Sequence, residues 1–521
     1  MARRYFNWKL AIVLIVGIVV LGVTAYGLRA WQKETRAERG LELGNKAYEQ
    51  QDYEEAARSL GRYVGVYNDD VPAMLKYADA HLNIRPLKRN NVQQAIGAYN
   101  IILREDPANC EAARRLVGLH LKMGVFGEAE RIAKEFLDVT ADSAVRILWA
   151  TAFVGQRKYA EAITEFQSII ADEPNQVLVY ESLGRIAEQL GSESAQTPAH
   201  WFDEAVKSNP ASALAYVVRA AFYLRSQDKT RALAELAKAE QIDLAQIDTR
   251  LRLAAELFNA GELDRAEQHL IAARQEEPRN QGLWNLWAQL ALRSNSKDKM
   301  LEVAEDGLEC LSAVPWDFMP LAAELLIRGG NLDKAAECIE KLDQKDISDA
   351  AVASLRAVLA AEKADFRQAA QYWRQSIASG NKTPQAQLEL ARALSAMGDT
   401  QSAMWQLRTF LSQWPNSFSA HLELARLFAR TGDWTAAAEH ARRASQLIPG
   451  NSEAAILYLQ ARVHVLTAEP DNATDQEWND ITAELLTLES ASGGAADVLK
   501  AKLLRLHVMV QRKQFAQAPE L

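Results

Sequence analysis

Cysteine and proline are scarce in this chain, which has 3 of the first and 14 of the second among 521 residues. The cysteines, Cys110, Cys310 and Cys338, are odd in number and show no C-x-x-C spacing, which excludes a disulfide framework and a cysteine zinc site. We expect their thiols to pack as small hydrophobic side chains inside helices. So few prolines, with 49% hydrophobic and 24% charged residues, indicate a folded chain.

The chain also lacks the short motifs that accompany phosphate binding and hydrolysis. It contains no G-x-x-x-x-G-K-[ST], no G-x-G-x-x-G after a strand and no G-x-S-x-G. Its 8 histidines are scattered, and none stands in an H-E-x-x-H pair. We therefore predict that the protein is not an enzyme and has neither a cofactor nor a metal site. A net charge of −9 without a basic stripe argues against nucleic acid as a partner.

One pattern recurs along most of the chain, and residues 416–449 show it most clearly. They read as two amphipathic helices joined at Gly432-Asp433 and closed by Pro449. Ala437 marks the second helix, and markers recur before it at steps of mostly 34 residues. Pro198 and Met300 keep this register without alanine, and the other markers are Ala56, Ala95, Ala129, Ala162, Ala232, Ala266, Ala335, Ala369 and Ala403.

Two further sequence positions recur at a fixed distance before the marker. A glycine stands five residues before it in several units, at Gly124, Gly261, Gly330, Gly398 and Gly432. The side chain twelve residues before it is small, at Gly44, Ala150, Ala220, Ala254, Ala288, Ala323, Ala357, Ala391 and Ala425. The second unit has five extra residues between its helices, so its small residue, Ala78, stands 17 before the marker. Small residues on facing helices let the helices approach closely, so we predict a tight contact within each unit.

The period and the segment GNKAYEQQDYEEAARSL at residues 44–60 resemble the tetratricopeptide repeat family. The resemblance implies an all-α, right-handed α-solenoid of about 12–13 helix-turn-helix repeats, whose first helices line a concave surface. We place the regular array at residues 40–450. Residues 451–521 read as degenerate hairpins of the same kind, the last of them incomplete.

The N-terminus contains the longest uncharged run. A basic tail, residues 1–9, precedes 19 uncharged residues at 10–28, which predict a transmembrane helix, and residues 29–39 form a polar juxtamembrane helical linker. A cleaved signal peptide is the alternative. We predict a single-pass protein of a bacterial inner membrane with the array on the extracytoplasmic side, although basic residues flank both ends of the run.

The resemblance also implies where a partner binds. In this family the residues three before, one after and four after the small residue of the first helix point into the groove. Packing within the array is the alternative role for these side chains. The predicted partner-binding residues are Ile147, Thr151, Val217, Leu224, Leu251, Phe258, Arg392 and Arg426. Some members clamp a chaperone carboxylate there, and Asn45 matches that clamp, but Leu41 and Asp79 depart from it and exclude this activity.

These features predict a non-enzymatic, membrane-anchored scaffold for protein–protein interaction, with a role in envelope assembly or secretion. Its expected partners are a protein or peptide in the concave groove and the lipid bilayer around residues 10–28. Two alternatives stay open. One is an adaptor tethered to the membrane and facing the cytoplasm, and the other is the regulatory part of an enzyme whose catalytic domain lies beyond the chain end.

Overall fold

A computed structural model describes residues 8–242, 244, 246–312, 315–345, 349–469, 473–490 and 495–512. Within these ranges the chain forms 27 α-helices and one 3-10 turn, Gly191–Glu193, and contains no strand. The all-α solenoid that the repeat predicts is therefore confirmed. The chain divides into two compact units, Met1–Gly329 (unit 1) and Gly330–Leu521 (unit 2).

Unit 1 consists of successive antiparallel hairpins, in which an odd-numbered first helix packs against the even-numbered second helix that follows it. Its helices are α1 (Trp8–Glu49), α2 (Tyr53–Val64), α3 (Val71–Asn83), α4 (Arg89–Glu105), α5 (Cys110–Lys122), α6 (Phe126–Leu137), α7 (Ser143–Gly155), α8 (Tyr159–Asp172), α9 (Val177–Leu190), α10 (Pro198–Ser208), α11 (Ala213–Arg225), α12 (Lys229–Ala239), α13 (Ile247–Ala260), α14 (Leu263–Glu276), α15 (Gln281–Ser294), α16 (Lys297–Cys310) and α17 (Met319–Gly329).

Unit 2 continues the same hairpin pattern, from α19 paired with α20 up to α25 paired with α26. The last helix, α27, packs against both α25 and α26. The helices of this unit are α18 (Leu332–Gln344), α19 (Asp349–Glu362), α20 (Phe366–Ala378), α21 (Pro384–Ala396), α22 (Thr400–Gln413), α23 (Phe418–Thr431), α24 (Trp434–Leu447), α25 (Ser452–Ala468), α26 (Asp475–Ser490) and α27 (Ala495–Gln511).

The turn between the two helices of a hairpin has the same backbone conformation in ten repeats. The residue five before the marker has a positive φ whether or not it is glycine, because the chain must reverse in the left-handed region to end the first helix. Five of these are the predicted glycines, and the others are Gln51, Arg157, Gln227, Asn295 and Ala364. In many units the next residue caps the second helix, as Asp433 does by accepting a hydrogen bond from the Ala436 amide.

The predicted register of small residues is confirmed by burial. Every marker alanine is fully buried, and Met300, which replaces one of them, is nearly so. Gly44 shows why the partner position is small, since a β-carbon there would lie 2.7 Å from Leu60 Cγ. Larger side chains at either position would overpack the hairpin.

The membrane prediction is contradicted. No helix in the described part of the chain is long and apolar enough to cross a membrane. Helix α1 covers residues 10–28, but most side chains of that stretch lie outside the described residues; Leu21, Tyr26 and Leu28 are described and exposed. The predicted single-pass localisation is therefore wrong. The predicted lipid contact and envelope role, which depended on it, lose their support.

Candidate protein-binding face

The first helices form the inner side of each unit. Several of them contact the first helix of the next hairpin, as α11 contacts α13 in unit 1 and α23 contacts α25 in unit 2. No two second helices of the described chain pack together to a similar extent. When successive hairpins are closer together along their first helices than along their second helices, the array curves toward the first helices. The first helices therefore line the inner face.

The predicted groove residues of unit 1 differ in accessibility. Leu224, Leu251 and Phe258 are half-buried and so keep an apolar surface toward solvent. Thr151 is exposed, but its hydroxyl donates to the Ile147 carbonyl at 2.7 Å. Ile147 itself is half-buried. Val217 is 0% exposed, so it offers no surface to a partner.

An ion pair joins α9 and α13. Arg252 Nη2 lies 2.5 Å from Glu181 Oε2, and Arg185 Nε lies 3.3 Å from Glu181 Oε1. Helix α11 contacts both α9 and α13, and its residues Val217 and Ala221 are buried. The inner face is therefore not a continuous apolar lining.

The repeat register missed the residues of α9. Counting back twelve residues from Pro198 gives Ile186, whereas the helix pair meets at Gly184, whose β-carbon would lie 2.5 Å from Phe202 Cζ. The longer turn at Gly191–Glu193 shifts the register of this hairpin. Glu181 stands three residues before Gly184, and that spacing would have identified it as an inward residue.

Arginines frame the half-buried apolar residues. The Arg293 guanidinium lies over the Phe258 ring at 4.9 Å, and Nη1 donates to the Phe258 carbonyl at 3.2 Å. Arg225, next to Leu224, pairs with Glu188 at 3.1 Å. A cation over an aromatic face orients that ring, so the rim of this surface is held in place by polar contacts to the neighbouring first helix.

In unit 2 the predicted cations belong to a row of alternating charges, which we call the charge ladder. It consists of Glu389, Arg392, Glu423, Arg426 and Glu453 on α21, α23 and α25. Glu423 Oε1 accepts from Arg426 at 2.8 Å and lies 3.4 Å from Arg392 Nε. Arg392 also contacts Glu389 at 2.8 Å, and Arg426 contacts Glu453.

The charge ladder neutralises both arginines. Partial burial lowers the pKa of Arg426, and pairing with Glu453 and Glu423 raises it, with a net upward shift. Each guanidinium has two carboxylates beside it. Arg392 and Arg426 lie on the first helices α21 and α23, and both are paired with carboxylates.

The position of the family's carboxylate clamp is occupied by internal contacts. Asp79 accepts hydrogen bonds from the Tyr48 hydroxyl and from Arg115 Nη1, the latter at 3.0 Å. Burial and the Asp79 carboxylate raise the pKa of Tyr48. Asn45 accepts from Lys76 Nζ at 2.8 Å. An incoming carboxylate would meet the negative charge of Asp79, which would repel it.

The part of the chain that the structure describes contains no group of three or more histidine, cysteine, aspartate or glutamate side chains suited to hold a metal ion. Its cysteines are free. Cys338 is buried in α18, and burial raises the pKa of its thiol.

Comparisons with known proteins agree with the repeat. A family model described as tetratricopeptide repeat matches residues 41–109, 147–195 and 388–452. None of the curated proteins matches the chain. Among solved structures, yeast Tom70 is 13% identical, with 92% of this chain and 97% of that chain covered and a TM-score of 0.36.

Two other solved structures are similar in the same way. The Cut9–Hcn1 hetero-tetramer of APC/C gives 12% identity, 82% and 96% coverage and a TM-score of 0.37. PilW, a type IV pilus biogenesis factor, gives 19% identity, 40% and 96% coverage and a TM-score of 0.35. These likenesses carry no argument about function. The three matched regions are similar to tetratricopeptide repeats, and the buried marker alanines continue the same register between them.

Proposed function

We propose that this chain is a non-catalytic scaffold that binds a protein or peptide on the inner face of unit 1. The observation that carries the proposal is the half-buried trio Leu224, Leu251 and Phe258 on α11 and α13. Apolar side chains that keep part of their surface in solvent on a rigid framework are suited to receive the anchors of a partner.

The geometry favours a partner with a few apolar anchors on an amphipathic helix or an extended segment. The Arg293 guanidinium over Phe258 and the Arg225–Glu188 pair give the surface a polar rim. Ile147 and Thr151 lie on α7, beyond the charged helix α9. We therefore assign them to a separate, outer part of the same face.

The charge ladder has a structural role within unit 2. It ties three successive first helices together through Arg392 and Arg426, so these arginines hold the first helices of unit 2 in register.

A photo-crosslinking amino acid at position 258 tests the assignment. We expect ultraviolet light to join a discrete partner protein to the full chain at this position. The matched control carries the same amino acid at Thr164, an exposed position on the second helix α8, and should give no such adduct. Peptide mass spectrometry then identifies the partner.

Two substitutions complete the test. Leu224→Ser with Leu251→Ser should abolish the adduct from position 258 while circular dichroism shows unchanged helical content. An adduct of equal yield from position 164, or one that survives both serine substitutions, would place the partner elsewhere. Loss of helical content in the double variant would show that these leucines belong to the core.

A further inference from the structure

A cavity of about 480 Å³ opens where α9, α11 and α13 begin. It lies at the ends of these helices, and the trio of the proposed partner site does not line it. Its walls are the first turns of three successive first helices, formed by Asn175, Gln176, Val177, Leu178, Ala211, Ser212, Ala213, Leu214, Gln246 and Thr249.

The three helices share a missing cap. Their N-cap residues, Gln176, Ser212 and Gln246, make no side-chain hydrogen bond to the amides of the first turn. The first helices on either side are capped: Asp142 accepts from Val145 N at 2.9 Å in α7, and Asn280 accepts from Leu283 N at 3.2 Å in α15. The amides of Val177, Val179 and Ala215 donate to backbone carbonyls, and no side chain caps the other amides of these first turns. The cavity therefore faces the remaining uncapped amides and the positive ends of three helix dipoles.

Thr249 supplies a second and independent observation. Thr249 is 8% exposed and lines the cavity, and its hydroxyl has no hydrogen-bond partner among the described residues. Its oxygen is not among the fully enclosed unpartnered atoms of the described chain, so it keeps surface that a ligand can reach. The Ser212 hydroxyl and the Gln246 amide, which also line the cavity, likewise make no hydrogen bond within the described chain.

The described carboxylates near the cavity are paired or do not line it. None of the described residues that line the cavity carries a carboxylate. Glu173 is held by the Gln176 amide at 2.7 Å, and Arg250 pairs with Glu276 at 2.8 Å. Asp248 lies in the first turn of α13 and is exposed, but it does not line the cavity.

We propose that this cavity binds an oxyanion, a carboxylate or a phosphate group, through the first-turn amides of α9, α11 and α13 and the hydroxyls of Ser212 and Thr249. Helix N-termini favour anions because their free amides and dipoles both point toward the bound group. The site takes the anion without an arginine or lysine. It therefore selects for hydrogen-bond geometry, and its affinity depends only weakly on ionic strength.

Thermal unfolding and calorimetry of the full chain with inorganic phosphate, and separately with acetate, test the site. We expect a saturable rise in the unfolding midpoint that potassium chloride at the same ionic strength does not produce. If phosphate and acetate both raise the unfolding midpoint, the site accepts a carboxylate. If phosphate alone raises the midpoint, the site requires a phosphoryl group. No response to either beyond the chloride control overturns the proposal.

Two variants make the assignment specific. Gln246→Asp places a carboxylate at the missing cap of α13, so it should raise the midpoint without anion and remove the response to phosphate. Thr249→Val keeps the side-chain shape and should weaken binding about tenfold, the loss of one hydrogen bond to a charged group. Asn280→Asp, at the capped helix α15, is the control and should keep the full response. An unchanged response in Gln246→Asp would overturn the site.

Discussion

At the scale of single residues, close packing depends on positions where no β-carbon fits. Gly184 in α9 is one, because a β-carbon there would lie 2.5 Å from Phe202 Cζ. Phe202 cannot move away, since it is fully buried and stacks on Phe222 with a centroid distance of 4.7 Å. Gly97 in α4 is the opposite case, with nothing within 4 Å of its β-carbon position.

These two glycines give the first prediction. Gly184→Ala should destabilise unit 1 by about 1–3 kcal/mol through overpacking. Gly97→Ala should stabilise it by about 0.5–1 kcal/mol, because alanine loses less backbone entropy in a helix. Urea unfolding followed by circular dichroism measures both. Shifts of the same sign would show that the contact between Gly184 and Phe202 does not limit the hairpin.

At the scale of one element pair, α23 and α24 are joined by two histidines. His421 Nδ1 lies 3.0 Å from His440 Nδ1, and His421 Nε2 lies 3.1 Å from the Pro415 carbonyl oxygen. A carbonyl only accepts, so His421 donates through Nε2. When both rings are neutral, His421 Nδ1 then accepts the proton of His440 Nδ1. His440 also stacks on Phe428, with a centroid distance of 5.6 Å.

The pair gives a prediction about pH. Burial lowers the pKa of His440, as does His421; Arg408 acts in the same direction, and Glu439 opposes it. A histidine whose pKa falls on folding binds protons more readily in the unfolded chain. Unit 2 should therefore lose stability as the pH falls below the unfolded value of about 6.5.

His440→Asn tests this origin of the pH dependence. The asparagine amide can occupy the place of His440 Nδ1 and donate to His421, but it does not titrate. The urea midpoint of the variant should change less between pH 7.5 and 5.5 than that of the wild type. If both proteins lose the same stability over this range, other groups carry the pH dependence; His464 is one, because burial and His507 lower its pKa.

At the scale of a whole unit, ion pairs connect hairpins that are distant in sequence. In unit 2, Glu423 is 15% exposed and serves both arginines of the charge ladder. Glu423→Gln should lower the stability of unit 2 by about 0.5–1 kcal/mol, with a larger effect at low salt. Glu362→Gln, an exposed position for which the described chain shows no ion pair, is the control. Equal effects of the two variants in urea unfolding would mean that the charge ladder adds no stability.

In unit 1, Arg85 pairs with Asp317 at 2.6 Å, which joins the turn after α3 to the turn before α17. Burial raises the pKa of Asp317, and the hydrogen bond and charge of Arg85 lower it, with a net downward shift. The two side chains are 24% and 35% exposed, so water screens the pair only in part.

A double-mutant cycle with Arg85→Ala and Asp317→Ala measures this contact. We expect a coupling of about 1 kcal/mol in urea unfolding, because the pair is partly buried and closes a long segment of chain. The exposed pair Arg131–Glu128 within α6 is the matched control and should couple by about 0.3 kcal/mol. A zero coupling for Arg85 and Asp317 would show that unit 1 does not depend on this closure.

The sequence by itself determined the repeat and its local geometry. The marker alanines are buried where the 34-residue period predicts, and Ala364 adopts the left-handed turn in the place where other units carry glycine. A hairpin is built from contacts between residues close in the chain, so its register is written in local sequence. The 19-residue uncharged run also gave a local prediction, the membrane span, and that one is contradicted.

Only the tertiary structure decided which inward side chains remain accessible. Val217 is fully buried. Glu181 and Arg252, 71 residues apart, form an ion pair between α9 and α13, and Arg392 pairs with Glu423 from the next first helix. Arg85, in a turn that reads as solvated charge, meets Asp317, 232 residues further on. Such pairs depend on how successive hairpins curve, and small rotations at each interface add up along the solenoid, so no single repeat encodes them.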